Sequence, residues 1–143
     1  MTAKISSQNR GNKATMCIDG NERSGLCLTG REKAPWLVID YGSSVKIRGI
    51  VIIPWHGHEY RAKNLEVRVA DEMPVKGQLF TNGQRLGSSE GPVPRNWNID
   101  ITSESGAQLH GRYLVLQSNY GPVHRGRGEH LGLQEVRAWG KGR

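Results

Sequence analysis

Three stretches of this 143-residue chain gather side chains suited to recognition chemistry. In Trp55-His56-Gly57-His58-Glu59-Tyr60-Arg61, the Trp and Tyr rings offer apolar faces for stacking, while His56, His58 and Arg61 supply directional hydrogen bonds to hydroxyls. The plainer alternative is that Trp55 caps the core and the rest is solvated loop. His124-Arg125-Gly126-Arg127-Gly128-Glu129-His130 joins two guanidiniums with flanking imidazoles. His124, Arg125 and Arg127 can clamp a sulfate, phosphate or carboxylate, or simply belong to a solvated loop. Asp19-Gly20-Asn21 sets a carboxylate and exposed carbonyls in a tight turn, hard oxygens of the kind calcium takes, although an ordinary Asx-Gly turn looks the same.

Catalysis finds little footing. No Ser stands in a nucleophile elbow, no H-E-x-x-H or P-loop occurs, and neither Cys17 nor Cys27 has an activating base nearby in sequence. His56-Gly57-His58 lacks a third ligand at sensible spacing, so zinc is not expected. Asp100 and Glu104 make no convincing carboxylate pair, because Asp100 falls on the polar face of a strand. The expectation is a binding module, not an enzyme.

Short apolar runs must position these groups. Leu65-Glu66-Val67-Arg68-Val69 and Trp97-Asn98-Ile99-Asp100-Ile101 alternate as half-buried strands do. Trp36–Tyr41 reads as a strand ending in a turn at Gly42, Val45–Ile53 as one strand stopped by Pro54, and Tyr113–Leu116 as another. Leu131–Trp139 closes the series, and its apolar face changes phase between Leu133 and Val136, predicting a bulge at Gln134-Glu135. Residues 1–15 read as polar, and the long connection from Ala70 to Asn96 carries a minor strand around Gly77–Thr81. Trp36, Val51, Leu65, Val67, Ile99, Val115 and Val136 are expected to be buried. With 19 glycines and 6 prolines mostly between the runs and no helical periodicity, residues 1–143 read as one all-β sandwich.

Five segments, taken in order, resemble the discoidin (coagulation-factor type C) family and its F-type lectin branch. They are Cys17–Asn21, Pro35–Gly42, Arg61–Val69, Gly111–Leu116 and Leu131–Gly140. The resemblance implies a discoidin-like jelly-roll β-sandwich of about eight mainly antiparallel strands, with binding loops at one end. It also implies a structural calcium, held by the Asp19 and Glu135 carboxylates, Thr29, and the main-chain carbonyls of Met16, Asn21 and Gln134. Of the His and two Arg that hold fucose in F-type lectins, only Arg61 has a match. Pro54 stands where the first Arg would, and the His position falls near Cys27. The resemblance therefore bears on fold more than on which sugar is bound.

The net charge of +7 favours acidic partners, whether sulfated glycan, anionic lipid or protein. Nucleic acid is not expected, because no recognition motif accompanies the scattered basic residues. A glycan or glycoprotein is the first expected partner, and a protein or anionic lipid surface the alternative. Cys17 and Cys27 either close a small disulfide loop or remain thiols. The N-terminus has no apolar stretch, so the chain reads as a domain of a larger extracellular protein or, alternatively, as cytoplasmic.

Overall fold

A computed structural model describes residues 1–20, 25–100, 109–118 and 130–139. Among the described residues nine strands form two antiparallel sheets: β1 (Thr2–Ile5), β2 (Cys27–Leu28), β3 (Trp36–Ile47), β4 (Gly49–Pro54), β5 (Leu65–Ala70), β6 (Gln84–Ser88), β7 (Trp97–Asp100), β8 (Leu109–Ser118) and β9 (Gly132–Trp139). One sheet has the order β1-β3-β8-β5-β6, the other β2-β9-β4-β7. Their facing side chains, among them Leu37, Ile50, Ile52, Leu65, Val67, Leu116, Leu133 and Val136, make the main core. Among the described residues no helix is long and apolar enough to cross a membrane.

The alternation of Leu65–Val69 holds: Leu65, Val67 and Val69 are buried, and Glu66 and Arg68 lie between them on the other face. Around Gly42 and Arg48 the expectations need correcting. β3 does not end at Gly42; it runs through a register shift between Asp40 and Val45, where the Asp40 carboxylate accepts the Gly42 N–H at 2.8 Å. Val45–Ile53 is not one strand, because the chain changes sheets at Arg48. Gly49 opens β4 beneath the Trp139 indole, and a Cβ there would stand 2.6 Å from the Ile99 carbonyl oxygen. Val51 consequently faces outward, half-buried, opposite Arg137 and Asn98.

Residues 77–81 form no strand. Gln117 accepts the Phe80 N–H at 2.8 Å and donates to the carbonyls of Gln78 and Ala34, fastening this connection over the outer face of the five-stranded sheet. Phe80 there covers Trp36, Val38 and Val115, which are buried in a second, smaller cluster. The polar N-terminal stretch contributes β1, paired with β3. Cys17 and Cys27 are joined in a disulfide with Cα atoms 5.4 Å apart, tying the 3-10 turn Ala14–Cys17 to β2.

Candidate functional site

Pro54 ends β4 opposite Leu133, and the chain leaves the sandwich through Trp55. The Trp55 carbonyl accepts the His58 N–H at 2.9 Å around Gly57, whose φ of +82° only glycine adopts without strain. A 3-10 turn at Glu59–Arg61 follows. The buried Ala62 then accepts the Val93 N–H, and Asn64 pairs with Gly91 through both backbone and side chain. The loop therefore has a fixed beginning and a fixed end.

Between those ends the expected residues converge. The Trp55 and His58 rings stack with centroids 4.0 Å apart, and His58 meets Tyr60 edge-on at 5.7 Å. The His58 Nδ1 lies 3.1 Å from the Tyr60 hydroxyl, and the Arg61 guanidinium sits 4.9 Å from the centre of the Tyr60 ring. Tyr60 is 46% exposed, so this row of rings ends at solvent. His56 joins through its backbone, whose N–H donates to the Gln134 Oε1 at 2.9 Å, while its side chain is exposed. Glu59 carries an anion here: hydrogen bonds from its own and the Gly57 backbone N–H groups, then the charges of Arg95 and His56, hold its carboxyl below the usual range.

The floor of this arrangement is Gly132. A Cβ on it would lie 2.9 Å from Leu28, 3.4 Å from the Arg61 Cβ and 3.5 Å from the Trp55 ring. Trp55 is thus neither a core cap nor a solvated side chain; it rests half-buried on bare backbone. Sequence reading passed over Gly132, although an isolated glycine in a strand pattern is the usual mark of such a close approach. His124, Arg125 and Arg127 lie outside the described residues. His130 donates from Nδ1 to the Thr29 carbonyl at 2.8 Å.

The expected bulge occurs. Ile53 pairs with Glu135 and Pro54 with Leu133, so Gln134 is the additional residue in β9. The phase change turns Glu135 onto the outer face of its sheet, where the Asp19-Gly20 turn covers it and leaves it only 2% exposed. Its carboxylate accepts the Gly20 N–H at 3.1 and 3.3 Å and lies 3.4 Å from the Arg137 Nε. Burial, with a smaller contribution from Asp19, outweighs these contacts and pushes the carboxyl above the ordinary glutamate range. Thr29 is fully buried, its Oγ1 accepting the Leu131 N–H at 2.8 Å, and Met16 lies in the turn before the disulfide. Asn21 lies outside the described residues. Among those described, no group of three His, Cys, Asp or Glu side chains gathers, so a cation here depends on carbonyl donors as well. Asp19 and the buried Glu135 are carboxylates, hard-oxygen groups of the type calcium prefers.

No family model and no curated protein matches this chain in sequence. Solved structures do match in shape. A fucolectin from striped bass serum superposes with a TM-score of 0.80 over 97% of this chain at 21% identity, and this chain spans 45% of its length. A fucose-binding module from Streptococcus pneumoniae gives 0.71 over 97% at 18% identity, spanning 93% of that chain. A chitosan-binding module from a Paenibacillus chitosanase/glucanase, in complex with chitotriose, gives 0.70 over 97% at 16% identity, spanning 95% of it. The likeness is one of fold: a jelly-roll β-sandwich shared with F-type lectins and discoidin-like carbohydrate-binding modules.

Proposed function

We propose that this chain is a non-catalytic glycan-binding module whose ligand docks at the end of the sandwich carrying Trp55–Arg61. The observation that carries the reading is the continuous row of Trp55, His58, Tyr60 and Arg61, its two ends Trp55 and Arg61 resting against Gly132, with apolar ring faces beside a guanidinium. Sugar rings present apolar C–H faces and rows of hydroxyls, and this row offers a partner for each. Structural neighbours that bind fucose or chitotriose support the class without selecting the sugar. The Asp19-Gly20 turn over Glu135 supports a structural calcium bound by Asp19, Glu135, Thr29 and main-chain carbonyls, which would brace the bulge beneath the ligand loop. The Cys17–Cys27 disulfide and the secreted character of a serum neighbour support an extracellular setting.

Isothermal titration with L-fucose, N-acetylgalactosaminyl-β-1,3-galactose and chitotriose tests the reading. Saturable binding that survives moderate salt, and that Arg61→Ala and Trp55→Ala each weaken at least tenfold while the variants stay folded, is the expected result. The net charge of +7 supports a second reading, docking to an anionic protein or lipid surface. Binding that follows ligand charge alone and vanishes in moderate salt would support it instead.

A further inference from the structure

β1 lies at the edge of its sheet, with β3 on one side only. Ser6, just past its end, donates its N–H to the Trp36 carbonyl at 3.0 Å, one step beyond the Ile5–Leu37 pair. Bonded and unbonded pairs alternate along an antiparallel ladder, so Lys4 turns its backbone toward Val38 while Ala3 and Ile5 turn theirs away from β3. Beyond the ladder, no group among the described residues bonds the N–H or carbonyl of Ala3 or Ile5. Both residues line a groove of about 400 Å³ that reaches across to Lys13, Ala14 and Thr15. Ala3 and Ile5 pack against the main core and Ala14 is buried, whereas Lys4 and Lys13 are exposed. No carboxylate lines the groove, and neither lysine forms an ion pair among the described residues. Two acids close to β1 are already engaged: Asp40, opposite Thr2, by Arg112 at 2.8 and 3.1 Å, and Glu32 by the Ser7 hydroxyl.

We propose that this edge docks an extended acidic segment of a partner protein, which adds a strand beside β1. Ala3 and Ile5, about 7 Å apart along the strand, each offer that segment one donor and one acceptor. Its alternate side chains fall beside Ala3 and Ile5, where small apolar groups fit, and beside Lys4, where a carboxylate does. Lys13, on the far wall, favours the same charge. A second copy of this chain does not suit the edge, because pairing two β1 strands brings lysine toward lysine in molecules that each carry +7. Lysine guards an exposed edge against its own kind and leaves it open to an acidic strand. No residue of the Trp55–Arg61 loop lines this groove, so the inference stands apart from the glycan reading.

The probe is an end-capped hexapeptide of alternating valine and glutamate, titrated into ¹⁵N-labelled protein and followed by amide hydrogen exchange. Exchange at Ala3 and Ile5 should slow about tenfold at saturation, while Lys4, already bonded to β3, stays unchanged. Lys4→Glu and Lys13→Glu should each weaken the peptide about threefold or more. An analogue N-methylated at alternate residues keeps the charge but cannot pair along one edge, and should lose binding. Absence of binding overturns the inference, as does binding that leaves exchange at Ala3 and Ile5 unaltered. So does a methylated analogue that binds as well as its parent, which means attraction by charge alone. Dimerisation of the free protein that protects Ala3 and Ile5 overturns it too, by making a second copy the occupant. Melting curves check that both lysine variants fold, and the exchange and methylation results, read on the wild type, decide without them. Sugar titrations bear only on the glycan reading.

Discussion

Replacing Glu135 by Gln isolates the charge beneath the bulge. The amide oxygen still accepts the Gly20 N–H, but the negative charge, buried beside Asp19 and countered among the described residues by an Arg137 side chain that is 49% exposed, is gone. So exposed a partner returns little of the desolvation cost. The wild-type carboxyl is raised in the folded state, so its contribution to calcium-free stability is greatest below the ordinary glutamate range. That contribution is lost as pH rises through the folded value. Near neutral pH, calcium-free Glu135→Gln should therefore melt at or above the wild type. On the proposed calcium site, added calcium should reverse the order, because the ion would bind the carboxylate. At one hundred times its dissociation constant it would stabilise the wild type by about 2.7 kcal/mol. With an unfolding entropy near 2.1 cal/mol/K per residue over 143 residues, that is roughly 9 °C. Differential scanning fluorimetry after chelation, with and without calcium returned, reads both differences. A wild-type melting point indifferent to calcium, or an equal rise in Glu135→Gln, would refute the reasoning.

Gly49→Ala drives a methyl into the Trp139 indole and the Ile99 carbonyl, and should lower stability by about 1–3 kcal/mol or more in thermal melts. Reducing the Cys17–Cys27 disulfide, whose partners are ten residues apart, should cost about 3 kcal/mol, seen as a lower melting point in reductant. Gln134→Met removes the acceptor for the His56 N–H at similar volume, while Gln134→Glu retains one. Hydrogen exchange at the His56 amide should quicken in the first and stay near wild type in the second.

What the sequence made legible were features whose cause is local. The alternation of Leu65–Val69 and the phase slip across Gln134-Glu135 are written in consecutive side chains, and both are present in the strands. The break at Arg48 was not legible, because it depends on Trp139, far along the chain, lying over Gly49. Phe80 likewise looks like part of a strand until Gln117 takes its N–H. In the site, the Trp55–Arg61 loop announced itself by composition, whereas its seat did not: Gly132 matters for the side chain it lacks. Two-residue β2, and β1 with its short polar sequence, offer too little periodicity to read without their partners.

β9 carries core residues on one face and, on the other, Gly132 under the Trp55–Arg61 loop, Glu135 under the Asp19-Gly20 turn, and Arg137 and Trp139 beyond. Its register is held from both sides, by β2 and by β4. The inward row answers to packing and the outward row to whatever docks there, so the two can drift separately under selection. A lineage can trade one specificity for another by changing loops and outward positions while the inward row goes on dictating the backbone. That division lets one backbone be kept at 16–21% identity while its outward positions differ.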